Sequence, residues 1–244
     1  MKTILPLLML LAMTSSASVA LAQSATAQGE AAPSGGVDHR EAMWRVGMGY
    51  RGSFVTNAGY NPFSRDDYFS QFSSEATRAL WGGAIGGLHV SFATGIAWDY
   101  GESSASARGD AASLSMHRLT VPLEGRMHFG SWGYAFVRLA PGVAYQRAKV
   151  EDASSPSPLF KERWLFASDA SAGYAWLVWP REQPSETKAR LWLQSDVGYG
   201  LVAAEHLSLA PDLPSSDPRR VAGVDLGTLA MQGAFFRVMA AASF

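Results

Sequence analysis

The chain contains no cysteine, which excludes a disulfide framework and thiolate metal sites. It has almost no net charge, since 20 basic residues face 21 acidic ones. A strongly basic footprint for nucleic acid is therefore missing. Lysine is scarce: it occurs at Lys2, Lys149, Lys161 and Lys188, and the rest of the positive charge is arginine. Nowhere do 18 apolar residues follow one another, so no transmembrane helix is expected. A polar tail is missing too. Most soluble chains fray into one, but this chain closes on "FFRVMAAASF". There Phe236, Val238, Ala240, Ala242 and Phe244 alternate with Phe235, Arg237, Met239, Ala241 and Ser243.

What is present begins with an address label. Met1-Lys2 supplies a short positive region, "ILPLLMLLAM" an apolar run, and Ala20-Leu21-Ala22 a small-x-small cleavage pattern. Residues 1–22 read as a signal peptide removed on export. The apolar run is too short to span roughly 30 Å of hydrocarbon. Residues 23–41 are small and polar, with Pro and Gly among them, and read as a flexible leader.

Residues 42–244 form a series of alternating stretches. "MWRVGMGYRGSF" places Trp44, Val46, Met48, Tyr50 and Phe54 opposite Arg45, Gly47, Gly49, Arg51 and Ser53. The same period of two runs through "HVSFATGIAWDY", "HRLTVPLEGRMHF", "YAFVRLAPGVAYQ", "RLWLQSDVGYGL" and the last stretch, about 232–244. Successive side chains of a strand point to opposite faces, so this period predicts strands. Two more segments, 79–87 and 164–179, bring the expected number to eight. Connections at 55–78, 101–113, 149–163 and 204–222 are expected to be long. Those at 86–88 and 130–133 are expected to be short, and 180–188 intermediate. Pro122 and Pro141 each remove a ladder donor, and bulges are expected at both. A soluble β-sandwich would also alternate. The alternating loop lengths favour an up-and-down barrel with one rim outside and one in the periplasm.

In these features the chain resembles the small eight-stranded outer-membrane β-barrels of OmpA, OmpX and OmpW type. The resemblance implies an all-β, antiparallel, up-and-down transmembrane barrel in the bacterial outer membrane. Its partners would be outer-membrane lipid and the barrel assembly machinery. Such barrels commonly end in an aromatic residue that the machinery recognises, and Phe244 matches that position. Trp44, Trp176 and Phe244 would form the inner aromatic girdle. Phe54, Trp98, Tyr100, Tyr145, Trp164 and Phe166 would form the outer one. The resemblance is to an architecture and rests on no diagnostic motif.

The inward register carries Arg45, Arg51, Arg118, Arg126, Arg138, Arg190 and Arg237 with Asp99, Glu124, Asp169 and Asp196. Isolated buried ions are costly, so these charges should pair. A plugged interior is one expectation, and a narrow anion-biased path is the other. Neither cofactor nor metal is implied, because His117, His128 and His206 lack zinc spacing. His89-Val90-Ser91 resembles the His/Ser arrangement of lipid A deacylases, which makes a lipid A-modifying enzyme the alternative. No partnering acid is evident for it, and no enzyme is expected. The reading is of a monomer with a structural, adhesive, defensive or small-solute role. The aromatic stretch "NPFSRDDYFSQF" at 61–72 would be a contact surface or a loop folded over the barrel mouth.

Overall fold

The computed structural model describes residues 44–107, 110–130, 132–152, 157–179, 189–211, 213, 216–217 and 222–244. The expected signal peptide, the leader and the 180–188 connection lie outside the described residues. The strands are β1 (Trp44–Phe54), β2 (Tyr68–Ile85), β3 (Leu88–Ala107), β4 (Asp110–Thr120) and β5 (Leu123–Phe129). They continue as β6 (Gly133–Asp152), β7 (Leu159–Trp179), β8 (Arg190–Val202), β9 (Glu205–Pro211), β10 (Val224–Leu229) and β11 (Gln232–Ser243). A single 3-10 turn covers Ala58–Tyr60. No helix among the described residues is long and apolar enough to cross a membrane, which says nothing about crossing by strands.

The strands close into a ring. The order is β1, β2, β3, the collinear pair β4 and β5, β6, β7, β8 and β11, and β11 pairs antiparallel with β1. This is the all-β, antiparallel up-and-down barrel of eight strands that the alternation predicts. Following paired residues from Trp44 through Arg78, Thr94, Leu123, Leu139, Ala170, Tyr199 and Ala234 leads back to β1 beside Phe54, ten residues from the start. Such a stagger tilts the strands, and eight strands leave an interior just wide enough for side chains.

At one end of the barrel the β2–β3 and β5–β6 connections are short. Gly86 and Gly87 take φ of 58° and 82° between β2 and β3, the positive pair that a two-residue hairpin requires. Both ends of the closing strand pair, Trp44 and Phe244, lie at this end and bond each other's backbone at 3.1 and 3.0 Å. We call it the turn end, and the opposite one the loop end.

Several expectations fail at the loop end. The 55–78 connection is strand from Tyr68 onward. The 101–113 connection is strand up to Ala107 and again from Asp110. The 149–163 connection is strand except between Asp152 and Leu159, and 204–222 contains β9, which pairs with β10 and with β7. The reason is chemical. In "GESSASA" and "DAASLS" both faces are small or polar, so the hydrophobic period of two disappears while the ladder continues. The expected bulges at Pro122 and Pro141 are absent as well. Thr120 and Leu123 keep one register against both β3 and β6, and Pro141 sits in an unbroken ladder with β7. Pro122 only interrupts hydrogen bonding between β4 and β5, and Val121 N–H donates to the Pro141 carbonyl at 2.9 Å. The shifts in the ring fall at Ala79/Trp81 and Leu177/Trp179, beside tryptophans near the turn end.

Candidate functional site

The lumen holds an apolar layer and an ionic layer, and Tyr134, Phe136, Ala175, Leu177, Trp192 and Ala241 form a smaller apolar cluster toward its other end. The loop-end layer is apolar. Phe69, Leu114, Met116, Ala144, Ala148, Ala167 and Val202 point inward from the strands, and Tyr60 and Phe63 fold down from the 55–67 segment to meet them. Leu207, Leu209 and Leu229 of the β9–β10 hairpin complete the cluster with Val55, Leu159 and Met231. Phe63 is fully buried. The stretch 61–72 is thus a loop folded into the mouth at Phe63, followed by strand from Tyr68. A cavity of about 10 Å³ separates this plug from the charges below, room for about one water.

The next layer is ionic. Arg51 of β1 forks onto Asp169 of β7 at 2.6 and 3.0 Å, and Arg118 of β4 reaches the same carboxylate at 2.7 Å. Asp99 of β3 stands 3.6 Å from Arg51 and accepts from Ser73 at 2.6 Å. The guanidinium of Arg51 also lies 3.8 Å from the centre of the Phe235 ring. Gly200 makes this possible. A Cβ there would sit 2.6 Å from Arg51 Nη2 and 2.8 Å from Asp169 Oδ1.

Toward the turn end a second cluster is centred on Glu124. Arg126 donates to it from Nε and Nη2 at 2.9 and 2.7 Å, and Arg138 from Nε at 2.7 Å. Arg45 Nη2 lies 3.0 Å from Glu75 and 3.5 Å from Glu124. Arg138 also binds Glu75 at 2.8 Å, and Arg237 forks onto Asp196 with two bonds of 3.0 Å. Carboxylates shared among several guanidiniums satisfy more lone pairs than isolated pairs could.

The structure therefore brings together ten of the eleven charges named from the sequence. Arg190, the eleventh, is buried on β8 but makes no ion pair among the described residues. Sequence reasoning missed Glu75, which three arginines share or approach. It lies in "FSSEATRA", where Ser73, Glu75 and Thr77 face inward and Ser74 and Ala76 face outward. With both faces small or polar, no alternation marks the strand. With Glu75 counted, seven basic residues face five acidic ones.

His89 and Ser91 do not form the pair that the sequence suggested. Ser91 Oγ bonds His128 Nε2 of the neighbouring strand at 2.8 Å, and the two histidine rings stand 5.1 Å apart. No cluster of His, Asp and Glu suited to a metal occurs among the described residues.

The comparisons with known proteins give distant likenesses. Two crystal structures of Ail, the attachment invasion locus protein of Yersinia pestis, match at 13% and 12% identity, with TM-scores of 0.45 and 0.43. Each match covers 84% of this chain and 99% of Ail, and the first Ail structure holds the heparin analogue sucrose octasulfate. The transport unit of the autotransporter AIDA-I from Escherichia coli matches at 15% identity with a TM-score of 0.34, covering 88% of this chain and 78% of that one. No family model and no curated protein matches the chain. The barrel stands on its own hydrogen-bond register rather than on these likenesses.

Proposed function

We propose that this chain is an integral barrel of the bacterial outer membrane, sealed to solutes, whose activity lies in the surface it presents at the loop end. Its outer face supports a membrane setting. Trp164 and Val197 are each 66% exposed and Val137 64%, on a scale that no soluble surface carries as a continuous band. On β6 the outward positions from Ala135 to Tyr145 carry no charge, and Arg147 is the first that does. That stretch is 11 residues, the length a tilted strand needs to cross. Aromatic rings mark its upper limit: Trp98, Tyr100, His117, Tyr145 and Trp164 stand in a row across neighbouring strands at 4.6 to 6.4 Å. At the turn end Arg78 lies over Trp44 at 5.7 Å, placed to snorkel to lipid phosphate.

The observation that carries the sealed reading is the apolar plug. An open path needs polar, wet walls from end to end, and the loop-end layer is packed mainly with apolar side chains. Strands β3, β4, β6 and β7 run on past the charge-free band, and with the β9–β10 hairpin they raise a wall rich in charge beyond it. Such a wall suits an adhesive or defensive contact. Phe244, exposed and directly after β11, with its backbone bonded to Trp44, would serve as the assembly signal.

Planar-bilayer recording of the refolded mature chain, beside a heat-dependent gel shift and membrane fractionation, tests both parts. The expected outcome is a heat-modifiable membrane protein with no steady conductance. Sustained chloride-selective current would overturn the seal, and a soluble, heat-insensitive species would overturn the membrane setting. Deleting Phe244 should lower insertion and leave periplasmic aggregate. Unchanged surface abundance would remove its role as the signal.

A further inference from the structure

The outer face of the barrel is not evenly filled. Where β1, β2 and β3 run side by side toward the loop end, an open groove of about 330 Å³ lies over β2. That volume is at the lower end of small-molecule sites, about 300–1,000 Å³. Rings form its turn-end part, because Tyr50 stands beside Phe72 and Phe72 beside Tyr100 in one row across the three strands. Phe72 meets Trp98 edge-on at 6.1 Å, and Trp98 stacks on Tyr100 at 6.2 Å. Ser70, the next outward residue of β2, is too small to fill the level above these rings.

The loop-end part of the groove is polar. The Tyr50 hydroxyl bonds Ser70 Oγ at 3.0 Å and the Tyr68 hydroxyl besides. The β2–β3 ladder stops at Gln71 and Gly101. Ser70 and Glu102 are the next positions on the two strands, and both line the groove. Glu102 is exposed, accepts from the Tyr100 hydroxyl at 3.2 Å and meets no cation among the described residues. Its neighbour on β4 is Ser115. Other outward carboxylates of this wall are matched, Glu162 by Arg147 and Glu151 by Lys149. The aromatic row that bounds the charge-free band passes through Tyr100, so Glu102, two residues nearer the loop end, stands at headgroup level.

We propose that this groove binds one membrane lipid whose headgroup carries an ammonium, with an acyl chain against Phe72 and the ammonium on Glu102. Rings, then hydroxyls, then a carboxylate follow the order of groups along such a lipid. The carboxylate repels a headgroup that offers only phosphate, and an ammonium brings it a charge-assisted hydrogen bond. The proposal rests on the membrane reading above and adds to it a preference among lipids.

The test is tryptophan quenching by brominated acyl chains. The mature barrel is reconstituted in phosphatidylglycerol vesicles that contain, at equal mole fraction, either dibrominated phosphatidylethanolamine or dibrominated phosphatidylglycerol. The difference between the parent and Trp98→Phe isolates the signal of Trp98, which borders the groove. The ethanolamine lipid should quench Trp98 as if enriched there about threefold, the scale of an exposed charge pair, and the other tryptophans should show no preference. Glu102→Gln removes the charge, and Ser70→Phe fills the groove while keeping Glu102. Each lies on the exposed face, and each should bring the ratio to one. Equal quenching of Trp98 by the two lipids in the parent would overturn the site, as would an undiminished preference in either folded variant. Quenching of no tryptophan by either lipid would overturn the membrane reading as well, which tells that failure from failure of the groove alone.

Discussion

The two ends of the lumen solve one packing problem in opposite ways. At the loop end the strands project beyond the charge-free band, and Phe63, Tyr60 and the leucines of the β9–β10 hairpin fill the bore as a soluble protein fills its core. Toward the turn end the bore lies within the band, and arginines and carboxylates fill it together with a smaller apolar cluster that includes Tyr134, Phe136, Leu177 and Trp192. The first solution rests on transfer of apolar area from water. The second rests on mutual compensation, since each buried charge is tolerable only while its partner stays. One layer should therefore degrade gradually under substitution and the other steeply.

Glu124→Ala tests the steep layer and should have the largest effect. Glu124 is fully buried, and its loss leaves Arg126 uncompensated and takes one of two carboxylates from Arg138 and Arg45. The expected cost is about 3–5 kcal/mol, read as a lowered midpoint in a thermal gel-shift series. A change below about 1 kcal/mol would mean that water, not Glu124, satisfies those arginines.

Phe63→Ala tests the gradual layer. Truncating a buried phenylalanine costs about 3 kcal/mol or somewhat more, and the exposed mouth should admit small quenchers to the plug. Combined with Glu124→Ala, the two losses should add within about 0.5 kcal/mol, as independent sites do. Strong coupling between them would show that the layers act as one.

Gly200→Ala reaches the border between the layers. The new methyl group must displace the Arg51–Asp169 fork, and overpacking of this kind costs about 1–3 kcal/mol. A variant as stable as the parent would mean that the fork has room to shift.

The smallest effect belongs to the hairpin above the plug. Lys161 donates to Glu205 and holds its carboxyl below the usual carboxylate range. The Gly227 backbone N–H does the same for Asp225, with His206 beside it at 3.0 Å. Groups with lowered folded-state pKa values stabilise above their unfolded values, about 4, and lose that contribution as pH falls through the folded ones. The protection of the β9 and β10 amides, relative to the intrinsic exchange rate at each pH, should therefore fall below about pH 4 while the ring strands keep theirs. An equal loss in the ring would show that the acid effect is global.

How far the sequence reaches can be seen in single strands. In β1 and β8 the outer face is mostly apolar and the charged residues face inward, and the register written from the letters matches the observed burial at the residues it assigned. In β2 the pattern fails, because Ser70, Ser74 and Ala76 face out while Gln71, Ser73 and Glu75 face in. The prolines misled for a related reason. A missing donor suggested a bulge, but at Pro122 the ladder lost its bonds and kept its register.

By itself the sequence determined the class of sheet, the ring of eight strands and the inward side of eleven charges, because one face of the ring strands is apolar and the other largely small or polar. That difference leaves a period of two in the letters. Which arginine meets which carboxylate was decided by the tertiary structure alone, as were the entry of Phe63 into the mouth and the share of β9 and β10 in the plug. Those contacts depend on the ten-residue stagger and on partners as far apart in the chain as Arg51 and Asp169. No local pattern records which residues a tilted, closed sheet brings to the same height.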